Sequence, residues 1–186
     1  MPSLARAQFD IALADVDALI QQAKSFSKGK RGAPASVAGV VRPGRSFTHA
    51  AAVLLAGAIE GYVEAVVTET ATAQKLTTPQ MKELKERVKA SHGASVRHVH
   101  GLTAHIGLPF VLDTIGWRGL PAGGVRTLLD ELSTRRNKVA HGAAPKGARV
   151  ADVERWRKLA ARFADELDTK CAAAVMAATG ATTAPW

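Results

Sequence analysis

Apolar residues recur at three- and four-residue steps from Phe47 to Val66, through Ala51, Leu54, Leu55, Ile59, Tyr62 and Val63. That spacing is the period of an α-helix with one buried face, and it continues too far for a strand. Ser46 or Thr48 can cap its start, and the pattern reaches about Ala73. The longest apolar run inside it, Ala50 to Ile59, has ten residues and ends before Glu60 and Glu64. A bilayer span needs roughly 20 such residues, so the stretch reads as the central core helix of a folded domain. No membrane contact is expected.

The same period recurs on both sides. Phe9, Leu13, Val16 and Ile20 mark an amphipathic helix from Ser3, its N-cap, to about Lys24. Thr78-Pro79 reads as N-cap and first-turn proline of a more polar helix ending near Ala90. Another helix is expected from about Gly124 to Ala140, stopped by Gly142. A last one, from Val150 to about Ala178, repeats apolar residues at Val153, Trp156, Ala160, Phe163, Leu167 and Ala174. No useful β-alternation and no internal repeat interrupt this pattern. The 186 residues have room for one domain that buries roughly 70% of its unfolded surface. The expected fold is therefore a single all-α domain over 1–186, an antiparallel bundle of four to five principal helices. Two stretches fall outside the helices. Gly29, Gly32, Pro34, Gly39, Pro43 and Gly44 predict a mobile basic loop over 25–45, and residues 91–123 read as an irregular insertion.

Charge narrows the function. Lys and Arg number 25 against 16 Asp and Glu, a net charge of +9, and the excess is clustered. Lys24, Lys28, Lys30, Arg31, Arg42 and Arg45 occupy one stretch without an acid, and Arg135, Arg136, Lys138, Lys146 and Arg149 another. Clusters of this kind suit a polyanion with phosphate groups; a merely solvated basic surface is the other reading. The single cysteine, Cys171, closes no intrachain disulfide, and the first residues carry no charged-then-apolar leader, so a cytoplasmic protein is expected. Cys171 lies among alanines, as a buried inert thiol would. His92, His98, His100 and His105 crowd one segment, yet no cysteine accompanies them, and solvent-facing or RNA-proximal histidines are expected rather than a metal site. No glycine-rich phosphate loop is present, so no cofactor is expected.

The most informative segment is Arg135-Arg136-Asn137-Lys138-Val139-Ala140-His141-Gly142. On a helical wheel with Leu128 at zero, Val125, Leu129, Leu132 and Val139 define a buried arc. Arg136 falls within it at about 80°, while Asn137 and His141 share a flank. A guanidinium turned toward a core needs a carboxylate partner. Glu60, the lone charge between Arg45 and Glu64, is the natural candidate for a partly buried pair. An arginine beside a histidine in a basic cleft fits phosphodiester chemistry: imidazole exchanges protons near neutral pH, and a cation stabilises charge developing on phosphorus. One helix supplies one histidine, and a two-fold dimer would supply a second set.

Arg136 to His141, an arginine followed by a polar residue and then a histidine at the end of a late helix, resembles the signature of the HEPN superfamily. Thr48 to Glu64, with Leu54, Leu55, Ile59, Glu60, Gly61 and Tyr62, is similar to the early core helix of its RiboL-PSP-like members. The resemblance covers Phe47–Ala73 and Val125–Ala178. It implies a metal-independent endoribonuclease, homodimeric, acting as a toxin or phage-defence effector beside an antitoxin or defence partner protein. By position it makes Arg136 and His141 catalytic, Asn137 the polar residue after the arginine and Glu60 the supporting acid. Arg135, Lys138, Lys146, Arg149, Lys30, Arg31, Arg42 and Arg45 are the candidate RNA contacts. The alternatives are a non-catalytic helical module that binds nucleic acid or an acidic protein, and a structural subunit whose last helix docks a larger assembly.

Overall fold

A computed structural model describes residues 1–27, 43–90, 93–141 and 148–186. They form six α-helices: α1 (Leu4–Ser27), α2 (Pro43–Ala73), α3 (Thr78–Ala90), α4 (Val96–Thr103), α5 (Ala122–Ala140) and α6 (Val150–Thr179). No strand occurs among the described residues, where the one β-feature is an isolated bridge between Trp117 and Leu120.

The helix starts have local causes. Ser3 Oγ accepts the Arg6 N–H at 3.0 Å, which is the expected N-cap, and the Glu69 carboxylate of α2 accepts the N–H groups of Leu4 and Ala5 at 3.1 and 3.0 Å. An anion at a helix N-terminus also suits the macrodipole. α2 begins three residues before Ser46, at Pro43, where a proline loses no hydrogen bond in a first turn. The expected cap Thr48 instead donates its hydroxyl to the Gly44 carbonyl at 2.7 Å. α1 extends to Ser27, so the helices occupy both ends of the 25–45 stretch; Lys28, Lys30, Arg31 and Arg42 lie outside the described residues, as do His92, Gly142 and Lys146.

α1 runs antiparallel to α2, with Phe9 against Tyr62 and Phe26 stacked on Phe47. It also runs antiparallel to α6, where Ser3 meets Asp168 and Asp17 meets Arg157. α2 and α6 consequently run in the same direction, with Tyr62 Oη donating to the Ala164 carbonyl at 2.8 Å. This corrects the expectation of a purely antiparallel bundle: the residues between α2 and α6 carry three further helices, a connection long enough to bring the chain back parallel.

Phe9, Leu13, Val16 and Ile20 of α1, Leu55, Ile59, Val63 and Val66 of α2, and Val153, Trp156, Phe163 and Leu167 of α6 are buried as their periodicity predicts. Leu54 is exposed, Cys171 is buried as expected, and Val175 continues the buried seam of α6 in place of Ala174. Residues 93–121 also belong to the core. Ser95 caps α4, which buries Val99 and Leu102, and the two 3-10 turns that follow bury Ile106, Val111 and Leu112. Gly44–Ala73 is long and apolar enough to cross a membrane by length and composition, and half of its most apolar window is buried within the fold.

Candidate active site

α5 buries Val125, Leu129 and Leu132, as the wheel predicts, and half-buries Leu128 and Val139. Its last turn closes with the His141 N–H donating to the Asn137 carbonyl at 3.0 Å. His141 therefore stands at the C-cap with its side chain exposed.

Arg136 lies on the side of α5 that meets α2. Its Nη2 is 4.0 Å from Glu60 Oε2, with the arginine side chain 35% exposed and the glutamate 15%. The pair foreseen from the sequence thus forms at ion-pair range, beyond hydrogen-bond length. The guanidinium sits at the rim of the core rather than inside it. A wheel angle fixes direction and not depth. Arg136 Nη1 also donates to Asn137 Oδ1 at 3.1 Å, so arginine and asparagine are held together, with Asn137 one helical turn before His141. Asn137 and Lys138 are exposed, and Arg135 is half-buried.

His49 was not foreseen. It stands on α2 at steps of four, three and four from Glu60 through Val53 and Ala56, which puts both on one helix face. Its Nε2 is enclosed without a hydrogen-bond partner. Burial lowers the pKa of its imidazole, and the positive charges of Arg45 and Arg135 lower it further. The result is a neutral imidazole in a basic neighbourhood that brings together the start of α2 and the end of α5. The signal available in the sequence was its spacing from Glu60.

Of the other candidate cations, Arg45 comes near Arg135 at His49. Arg45 is exposed in the first turn of α2, and Arg149 is exposed at the N-cap of α6, where its N–H donates to Asp152 Oδ2 at 2.9 Å. Lys30, Arg31, Arg42 and Lys146 lie outside the described residues. The histidine segment departs from the expectation of exposed side chains. His98 is buried with Nε2 3.8 Å from Glu64 Oε1, because its place on the short amphipathic α4 turns it inward toward α2. His100 Nε2 accepts the Leu112 N–H at 3.3 Å. Among the described residues no three His, Cys, Asp or Glu side chains are grouped as a metal site would need.

No protein-family model, curated protein or solved structure matches this chain.

Proposed function

We propose that the protein is a HEPN-type endoribonuclease that cleaves RNA by metal-independent acid–base chemistry. The observation that supports this reading best is the cluster at the end of α5. Arg136 is paired across the helix interface with Glu60 and hydrogen-bonded to Asn137, beside an exposed His141. In this reading His141 moves a proton to or from the ribose 2′-hydroxyl or the leaving oxygen. Arg136, anchored by Glu60, stabilises the charge that develops on phosphorus. Because the end of α5 offers one such imidazole, the working unit is a two-fold dimer that apposes two copies of it. Arg135, Lys138, Arg149 and Arg45 hold the RNA backbone. The protein works in the cytoplasm as a toxin or phage-defence effector, held in check by a partner protein.

The test is incubation of purified protein with mixed RNA in EDTA, beside the His141→Ala variant. Cleavage by the wild type alone, leaving 2′,3′-cyclic phosphate ends, is the expected result. Intact RNA in both samples, with RNA retained on the protein, would replace the enzyme by the non-catalytic binding module.

A further inference from the structure

The face of α2 that carries Glu60 continues to His49, eleven residues nearer the start of the helix and roughly 16 Å away along its axis. Arg135 and Arg136 are neighbours on α5 and leave it in directions about 100° apart. Arg136 is turned to Glu60, while the charge of Arg135 bears on His49. The two arginines thus mark a strip of α2 much longer than one phosphodiester group, with the Arg136–Glu60 pair at one end and His49 at the other.

His49 brings the fold no gain that its surroundings show. Its Nε2 is enclosed and has no hydrogen-bond partner among the described residues, and a buried polar atom in that state lowers stability. Two cations, Arg45 from the exposed first turn of α2 and Arg135 from α5, oppose protonation of the ring. An apolar side chain would fill the same place without either penalty.

A phosphate oxygen reverses both. Its charge is attracted by the two guanidiniums and favours the imidazolium, and it accepts the hydrogen bond that Nε2 then donates. Imidazole and two arginines from two helices are the donor set that such an anion needs.

We propose, resting on the endoribonuclease reading, that His49 is a specificity residue of the RNA site, donating through Nε2 to a backbone phosphate at least one nucleotide away from the scissile phosphate at Arg136. The consequence is a length requirement. An RNA with a single phosphodiester fills only the Arg136 end of the strip, whereas a longer single strand also engages Arg45, His49 and Arg135.

The test compares cleavage of a diribonucleotide, which has one phosphodiester, with that of a hexaribonucleotide of the same base. Wild type and His49→Leu are assayed in EDTA, with His49→Gln used if the leucine lowers the melting temperature. The wild type is expected to have a KM at least about tenfold lower for the hexamer. His49→Leu is expected to abolish most of that preference by raising the hexamer KM about tenfold at unchanged kcat. Equal losses on both RNAs would put His49 at the scissile phosphate, and no loss on either would leave it a packing residue; each result overturns the proposal. If neither RNA is cleaved, the endoribonuclease reading falls and hexamer binding decides. Calorimetry is then expected to give an affinity about tenfold weaker for His49→Leu than for wild type, and equal affinities overturn the proposal.

Discussion

The Arg136 guanidinium on α5 stands 4.0 Å from the Glu60 carboxylate on α2, and each is the other's counter-charge at the rim of the core. A glutamate only 15% exposed has lost much of its hydration, and a cation at this range offsets part of that cost. The arginine is in turn held to its neighbour Asn137, whose Oδ1 accepts from Nη1 at 3.1 Å.

Glu60→Gln is therefore expected to act on both stability and chemistry. Removing one partner of a partly exposed pair costs about 1 kcal/mol, read as a lowered urea midpoint. A guanidinium free to swing away should slow RNA cleavage about tenfold, which corresponds to about 1.4 kcal/mol in the barrier. Full stability together with full cleavage in this variant would remove Glu60 from the site.

His49 makes the fold sensitive to acid. Its imidazole titrates below the ordinary value of 6.5 in the folded protein, because burial and then the charges of Arg45 and Arg135 disfavour the cation. Above that value the side chain is neutral in both states and adds nothing. As the pH falls below it, the unfolded chain takes up a proton that the folded chain resists, so stability is lost until folded His49 itself titrates. Urea midpoints at about pH 7.5 and about pH 5.5 should fall more steeply for the wild type than for His49→Gln. Equal slopes would mean that His49 is as easily protonated folded as unfolded.

The sequence made the helices legible where period and punctuation agreed. Pro79 stands in the first turn of α3 as expected, although the residue before the helix is Thr77 and not the expected cap Thr78, and Phe9, Leu13, Val16 and Ile20 mark the buried stripe of α1. It misled where two signals competed. Pro43 could close a loop or open a helix, and it opens α2; Leu54 fits the period but falls on a face that no helix among the described residues covers, leaving it exposed. α4 escaped notice because eight residues hold too few periods to stand out, although Ser95 is an ordinary cap. For the site, residue types and spacing brought out Arg136, Asn137, His141 and Glu60. The half-buried position of Arg136 and the enclosure of His49 depend on how α5 crosses α2, which no local pattern encodes.

The contact of Asp168 with Ser3 ties α6 to the first residues of the chain. Both groups are buried, the Ser3 N–H donates to Asp168 Oδ2 at 3.2 Å, and the Ser3 hydroxyl donates to Oδ1. Bonds to a charged acceptor contribute more than neutral ones, about 1.5–3 kcal/mol. Asp168→Ala should therefore destabilise the protein by about 2 kcal/mol in urea titration, while Asp165→Ala, at an exposed carboxylate nearby, should cost less. A loss below that of Asp165→Ala would show that α1 is held to α6 chiefly through the bonds that Arg6 donates to Asp165.

Cys171 is the thiol that the fold withholds. It lies fully buried on α6, and burial pushes its pKa from 9.0 up to about 12 against the opposing hydrogen bond with Thr70. The thiolate is the reactive form, and a rise of this size lowers its fraction near neutral pH roughly a thousandfold. A thiol-specific disulfide reagent at about pH 8 should leave the native protein unlabelled and modify one thiol per chain in denaturant. The same shift has a stability consequence of opposite sign to that of His49. The contribution is intact below the unfolded thiol's pKa and is lost as the pH rises toward the folded value, because the unfolded chain gives up its proton first. Cys171→Ala should flatten the alkaline limb of the stability profile. Prompt labelling of the native protein would instead mean that the α2–α6 seam opens readily at this residue.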